Sequence, residues 1–371
     1  LSRQDDGPPF ENCWAKTTAN EQPGIGVLEH CLNVGYVAQA LLELLPGRLR
    51  GLLPPGVVTL AALHDVGKVS PGFQSKCEAW LSRHGLANRA LSEGWRWREP
   101  DHARVSQQTV QERLGATHLC PWAAAIGAHH GRVKGDRVPG REPWGEERRR
   151  LAEKLASVFG PLPDRPPNEA TLWFAAGLIT TADWIGSDEG RFPQAAAWDV
   201  PERQQRARAA VAEAGWRRAP ARPVSGFSEL FPEIQAPNSL QRATLQTVRE
   251  PGIYVIEGPM GSGKTEAALA AAYQLIEAGK ANGIYFALPT QLTSNRIYLR
   301  VQPFVERISA GTEGARLAHS ASWLAQTQPP PDLRQASWQD DEGRQHVRAG
   351  RSWFASPKRA LLAPYGVGTV D

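Results

Sequence analysis

The sequence predicts an α-helical domain followed by part of an α/β domain. Three observations carry this. From about residue 25 to 188 apolar residues recur at helical spacing, with no alternating strand pattern. Seven of the nine histidines precede residue 131. A glycine-rich loop between an apolar run and an Ala-rich helix appears only after residue 250. At 371 residues the chain exceeds what one hydrophobic core usually serves, and the two chemistries divide it into residues 1–220 and 221–371.

In the first domain Val34, Val37, Ala38, Leu41, Leu42 and Leu45 form one core-facing stripe. Similar stripes are expected over 57–66, 102–114, 121–130, 147–159 and 170–186. "GRVKGDRVPGREPWG" (131–145) reads as a basic loop, and the Pro- and Gly-rich stretch 217–239 as a linker. In the second domain "GIYVIE" (252–257) and "GIYFALP" (283–289) read as strands flanking a helix over 265–278. Strand–loop–helix–strand is a βαβ unit and implies a parallel sheet.

Composition excludes some classes. No apolar run reaches the ~20 residues of a membrane span, so no membrane partner is expected. The four cysteines, Cys13, Cys31, Cys77 and Cys120, form no C-x-x-C pair, which argues against a zinc ribbon and for a reducing, cytoplasmic setting. The net charge of +4 is a weak sign of a nucleic-acid partner. The chain begins at Leu1 rather than Met, which leaves upstream residues and targeting signals open.

"GPMGSGKT" (258–265) fits G-x-x-x-x-G-K-[ST] in full and sits between a predicted strand and a helix. Gly258, Gly261 and Gly263 let backbone N–H groups wrap a phosphate chain. Lys264 would reach the β- and γ-phosphates of ATP, and Thr265 would contact Mg²⁺. An acidic strand for Mg²⁺ and water is expected in an ATP-driven motor, and none is seen before Asp371. The nearest acidic pair, Asp340-Asp341, lies in the polar stretch "SWQDDEGRQ". The second domain therefore reads as incomplete, and unwinding by these residues alone is not expected.

A second constellation lies in the helical half. "LAALHDVGKV" places His64-Asp65 at the end of an oily helix, where a buried carboxylate is costly unless paired or metal-bound. His30 lies on the stripe of Val34, Val37 and Leu41, and Asp183 on that of Leu172, Ala176 and Ile179. His102 opens a helix after "REPD", and His129-His130 closes another before Gly131. His84 and His118 lie in polar or turn contexts and are left out. Seven ligands exceed one ion's needs and suit two ions sharing a carboxylate. Mixed imidazole and carboxylate ligation favours Mn, Fe, Co or Ni, with Mg also permitted. Lys68 is the natural partner for a phosphate oxygen as charge develops.

The order H…HD…H…HH…D followed by the phosphate loop resembles the CRISPR-associated helicase–nucleases of type I systems. These join an HD-superfamily nuclease to a superfamily 2 helicase with RecA-like lobes. "SWFASPKRALLAPYGVGTVD" (352–371) resembles the segment before that family's acidic motif. The resemblance implies one metal on His30, His64, Asp65 and Asp183 and another on Asp65, His102, His129 and His130. Asp65 would bridge and Lys68 would lie near the scissile phosphate. Gln241 occupies the place of a glutamine that reads adenine. Thr290, Gln291, Thr293 and Arg296, in "PTQLTSNR", match residues that grip a DNA backbone. The implied activity is metal-dependent endo- and exonucleolytic cleavage of single-stranded DNA, coupled in a full-length protein to 3′–5′ translocation. The implied partner is a surveillance complex carrying guide RNA and an R-loop. Two other readings remain: an HD phosphohydrolase of nucleotides or cyclic dinucleotides fused to an unrelated ATPase, and a DNA-binding recruitment module with a vestigial metal site.

Overall fold

The computed structural model describes residues 8–18, 20–116, 120–130, 144–193, 198–214, 216, 221–309, 316–318, 336–339, 345–348 and 363–369. Two compact units, Leu1–Glu213 and Ala214–Asp371, make up the chain. The sequence boundary at 220 falls just inside the second.

The first unit is helical. Its longest helices are α1 (Val27–Leu44) and α6 (Glu169–Gly186). Between them come α2 (Val57–Ala62), α3 (His102–Arg113), α4 (Pro121–Gly127) and α5 (Trp144–Phe159), and α7 (Val200–Glu213) follows. α1 packs on α2, α6 and α7, burying His30, Cys31, Val34, Val37, Ala38 and Leu41 along one face. Side-chain caps fix two helix starts. Asp101 accepts from the N–H of Arg104 at the start of α3, and Asn168 from that of Thr171 at the start of α6.

One expected helix is shorter than its apolar stripe. The pattern over 57–66 predicts a helix to residue 66, but α2 stops at Ala62. The ring of His64 bonds the Ala61 carbonyl at 2.9 Å, and the chain turns into a 3₁₀ segment, Val66–Lys68. A side chain competing for a helix carbonyl ends the helix there. The turn points His64 and Asp65 away from the continuing stripe.

α7 was not expected from periodicity, and a buried cation explains its place. Arg203 donates to Asn33 Oδ1 at 2.5 Å and also pairs with Glu29, both on α1. Its guanidinium stacks over Trp198, 5.6 Å from the ring centroid.

The second unit holds α8 (Ser239–Thr247), α9 (Lys264–Glu277), β1 (Ile284–Leu288), α10 (Gln291–Ile308), β2 (Arg316–Ala318), β3 (Ala336–Gln339), β4 (Gln345–Arg348) and β5 (Tyr365–Thr369). β5 lies between β1 and β2 and is parallel to both, with Ile284 opposite Tyr365 and Arg316 opposite Gly366. β3 and β4 form a separate antiparallel pair. The core joins Leu269, Ala270, Tyr273 and Ile276 of α9 to Val301, Phe304, Val305 and Ile308 of α10 and to Tyr365 and Val367 of β5.

Two expectations change here. The run 252–257 is not a strand: it pairs with none of the described strands, and Ile253 and Val255 are almost fully exposed. Apolar, β-branched residues suit a sheet centre, but a strand forms only where a neighbour satisfies its backbone. The stretch 217–239 is only partly a linker. Phe227–Leu230 is a short helix, Leu230 and Phe231 join the core, and Phe231 stacks on Phe304 at 5.6 Å. The basic loop lies outside the described residues except for Trp144 and Gly145, which open α5. Asp340-Asp341 and most of 352–371 also lie outside them.

Replacing Arg203 by Ala strips two α1 side chains of a charged hydrogen-bond partner. Urea denaturation of the helical unit should show a loss of about 1.5–3 kcal/mol. An unchanged midpoint would show that α7 is held by apolar contacts alone.

Candidate metal centre and phosphate loop

Five elements converge on Asp65. α1 brings His30, the turn after α2 brings His64 and Asp65 itself, and α3 brings His102 as its first residue. The turn after α4 brings His129 and His130, and α6 brings Asp183. Each oxygen of Asp65 faces a different group. Oδ2 lies 2.9 Å from His30 Nε2 and 3.1 Å from His64 Nε2. Oδ1 lies 3.5 Å from both His102 Nε2 and His129 Nε2. Asp183 Oδ1 closes the first group, 3.3 Å from His64 Nε2 and 3.9 Å from His30 Nε2. His130 Nε2 closes the second, 3.0 Å from His102 Nε2. Within His30–His64–Asp65–Asp183, and within His102–His129–His130, one ligand atom from each residue lies within 4.8 Å of the others.

The donor chemistry fits metal ions. His64 Nδ1 bonds the Ala61 carbonyl at 2.9 Å, and His129 Nδ1 bonds that of Ile126 at 2.6 Å. A carbonyl accepts only, so each Nδ1 carries a hydrogen and Nε2 is the nitrogen that can serve an ion, once any proton on it has left. His64 Nε2, His129 Nε2 and Asp65 Oδ1 are buried, make no hydrogen bond of good geometry, and face only one another and the other candidate ligand atoms. Buried polar atoms without partners call for one. A divalent ion in each group would supply it, since imidazole nitrogens and carboxylate oxygens are the donors such ions take.

Electrostatics describe the metal-free state. Burial opposes charge on Asp65, but His64 and Lys68 outweigh it and hold the carboxyl well below its usual range. Asp183 is likewise held well below its usual range: burial opposes its charge, and His64 outweighs burial. For His64 itself burial lowers the pKa, yet Asp65 and Asp183 raise it to about 10. His30 goes the other way, lowered to about 4 by burial. Two carboxylates thus face Lys68 and one protonated imidazole, and the buried charges balance.

Lys68, expected at the scissile phosphate, is fully enclosed. Its ammonium pairs with Asp65 Oδ2 at 2.9 Å, donates to the Ala15 carbonyl at 3.2 Å and lies over the ring of Phe73. This geometry makes Lys68 a counter-charge that keeps Asp65 ionised. Sequence reasoning missed the residues that hold this turn. Gln74 Nε2 donates to the carbonyls of Lys68 and Trp14, at 2.9 and 2.8 Å. Ser106 Oγ accepts from Gly67 N–H at 2.9 Å. A Cβ on Gly67 would stand 2.0 Å from the His102 carbonyl. Gly67 is thus the contact that lets α3 approach the Asp65 turn. None of these residues carries a motif; polar residues in helical stretches read as surface.

In the second unit the phosphate loop precedes α9. Gly261 and Gly263 have left-handed backbones, φ 76° and 79°, and Gly263 is the N-cap of α9. Lys264 Nζ reaches across the loop to the carbonyls of Gly258 and Pro259, at 2.6 and 2.7 Å. Thr265 stands in the first turn of α9. Gln241, expected to read adenine, is buried. Its Oε1 accepts from Asn238 N–H in a capping box, and its Nε2 donates to the Gly263 carbonyl at 3.3 Å. In this geometry its amide braces the loop. Thr290 and Arg296 are exposed around the start of α10, while the side chains of Gln291 and Thr293 lie outside those described.

Residues 14–192 match the family model for the Cas3 HD domain. The helical unit is a Cas3-type HD domain. It is 35% identical, over 96% of its length, to a CRISPR-associated endonuclease/helicase Cas3 of Thermus thermophilus, of which it covers 42%. A crystal structure of a CRISPR-associated protein is similar with TM-score 0.75 and 30% identity, over 98% of this chain and 46% of that one. The structure of T. fusca Cas3 with AMPPNP shares the fold, with TM-score 0.69 and 24% identity, over 98% of this chain and 44% of that one. The chain spans less than half the length of each of these Cas3-type proteins. Among the described residues no helix is long and apolar enough to cross a membrane. The expected fold class, a helical HD domain followed by a parallel α/β unit, agrees with this match and with the sheet of the second unit.

Two measurements test the centre. Because His64 holds a proton up to about pH 10, an ion taking its Nε2 must displace that proton. Apparent affinity for Mn²⁺ should therefore rise as pH is raised from 7 towards 10. Titration calorimetry in buffers of different ionisation enthalpy should show about one proton released from this group at neutral pH. Binding with no proton release would place the ion elsewhere. Gly67→Ala should push α3 off the turn and weaken ion binding at His102–His129–His130 by about 10–100-fold, the range for misplaced ligands; wild-type affinity in this variant would show that the contact yields without cost.

Proposed function

We propose that this chain, through its Cas3-type HD domain, is a metal-dependent nuclease that cuts single-stranded DNA. The observation that carries this reading is the division of Asp65 between two ligand groups, one on each carboxylate oxygen. His30, His64, Asp65 and Asp183 would hold one divalent transition ion, and Asp65, His102, His129 and His130 the second. When bound, such a pair supplies Lewis acidity for the attack of water on phosphorus and charge to stabilise the departing oxygen.

The protein's own part is positional. Asp65 stays ionised because Lys68 and His64 balance it, so both its oxygens are available as ligands. The Ala61 and Ile126 carbonyls fix the tautomers of His64 and His129. The names of the curated relatives, endonuclease and helicase, support DNA as substrate. They also support a role in CRISPR interference, in which a guide-RNA surveillance complex would deliver the displaced strand of an R-loop. Gly258–Thr265 would take the phosphates of ATP with Mg²⁺ and, in a longer protein, drive 3′–5′ translocation. Thr290, Gln291, Thr293 and Arg296 would hold the strand's backbone.

The deciding experiment incubates circular single-stranded DNA with Mn²⁺ or Ni²⁺ without ATP, beside a panel of nucleotides and cyclic dinucleotides. Cleavage of the circle is expected; hydrolysis confined to small nucleotides would replace this reading with a phosphohydrolase. Asp65→Ala should abolish cleavage and keep the helical circular-dichroism signal, whereas His30→Ala should be milder because it removes one ligand from one ion. Lys264→Ala should leave cleavage of free single strands unchanged, since that hydrolysis needs no nucleotide. A large loss without ATP would show that the two units are catalytically coupled.

A further inference from the structure

A buried ion pair that supplies no ligand lies directly behind the second histidine group. Arg148, on α5, makes a two-pronged contact with Glu99: Nη1 to Oε2 at 2.8 Å and Nη2 to Oε1 at 2.9 Å. Both residues are almost fully buried. The same Nη1 donates to the carbonyl of Val69 at 3.0 Å. Ser70 Oγ adds a bond to the Glu99 carbonyl at 3.3 Å. Arg148 therefore ties together two chain segments, the turn that carries Asp65 and Lys68, and the loop Glu99–Pro100–Asp101 that delivers His102.

Two features set this pair apart from ordinary packing. A buried ion pair loses in desolvation about what it gains in attraction, so apolar residues of similar size would hold the fold as well. What a two-pronged guanidinium–carboxylate contact adds is fixed orientation. Glu99 also holds a left-handed backbone, φ 50°, which a residue with a Cβ seldom adopts. Strain of this kind persists where the surroundings over-determine a conformation, and it clusters at functional sites. Here the strained residue stands three positions before His102, whose Nε2 must lie near both Asp65 Oδ1 and His130 Nε2.

We propose that Arg148 and Glu99 are positioning residues that set the distance between His102 and Asp65, and so govern the ion of the second group. The first group shares only the turn after α2 with the pair, and its other ligands, His30 and Asp183, come from α1 and α6, so it depends on the pair less than the second group does. This inference rests on the two-ion reading above.

The test uses the whole 371-residue chain. Mn²⁺ binding by calorimetry and Mn²⁺ paramagnetic resonance are compared for wild type, Glu99→Gln, Arg148→Met and Arg148→Lys, with folding checked by circular dichroism. Glu99→Gln keeps the shape and removes the charge, so it serves if Arg148→Met does not fold. The expected result is a second ion bound about 10–100-fold more weakly, the range for lost supporting contacts, and a first ion weakened distinctly less. The spin-coupled signal of paired ions should give way to that of a single ion, with Arg148→Lys intermediate. Equal weakening of both ions, in step with lost thermal stability, would reduce the pair to a structural role and overturn the proposal. So would wild-type affinity at both positions. A wild-type chain that binds a single ion would instead refute the two-ion reading, and this proposal with it.

Discussion

A single carboxylate, buried and ionised, sets the terms for the helical unit. Asp65 can remain charged away from water only if positive charge and hydrogen-bond donors surround it. Lys68 and His64 supply the charge, and three helices and two turns are drawn to the same point to supply the rest. The cost of leaving Asp65 without partners makes the packing of α1, α3, α4 and α6 around it a requirement of folding.

Close approach is the second constraint. The turn Leu63–Asp65 and the 3₁₀ segment after it must pass within contact distance of α3, and only a residue without a Cβ fits at position 67. Ser106 takes the freed Gly67 N–H, and Gln74 holds the Lys68 carbonyl and the Trp14 backbone together. The Arg148–Glu99 pair closes the other side of the same turn. Side chains that touch no candidate ligand atom thus decide where the ligands stand, as is general for metal sites. Histidines contribute direction through their second nitrogen: a carbonyl on Nδ1 determines what Nε2 can do.

The second unit rests on different physics. Its loop is governed by backbone conformation, with left-handed glycines and the N-terminus of α9 turning N–H groups toward the place a phosphate would take. Gln241 braces that arrangement from α8 through the Gly263 carbonyl. The sheet is held by β5, whose strand comes late in the chain and pairs on both edges. A parallel ladder needs such a distant partner, and local sequence says nothing about which one arrives.

Periodicity and spacing alone determined much. The helical stripes located α1, α3, α4, α5 and α6 to within a few residues. The inward faces of α1 and α6 marked His30 and Asp183 as pointing to the core, because a side chain's face follows from 3.6 residues per turn; His30 is buried and Asp183 partly so. "GPMGSGKT" determined its own loop, since its glycines impose the backbone. Three things only the tertiary structure decided. The division of Asp65's two oxygens between ligand groups depends on where four separate helices end, which no local pattern encodes. The enclosure of Lys68 against Asp65, by the Trp14 arm and Phe73, comes from packing between distant segments. The run 252–257 has strand composition yet pairs with none of the described strands, and Glu99, Ser106 and Arg148 look like surface residues until the fold buries them. Composition states what a segment prefers; long-range contact decides which preference is satisfied.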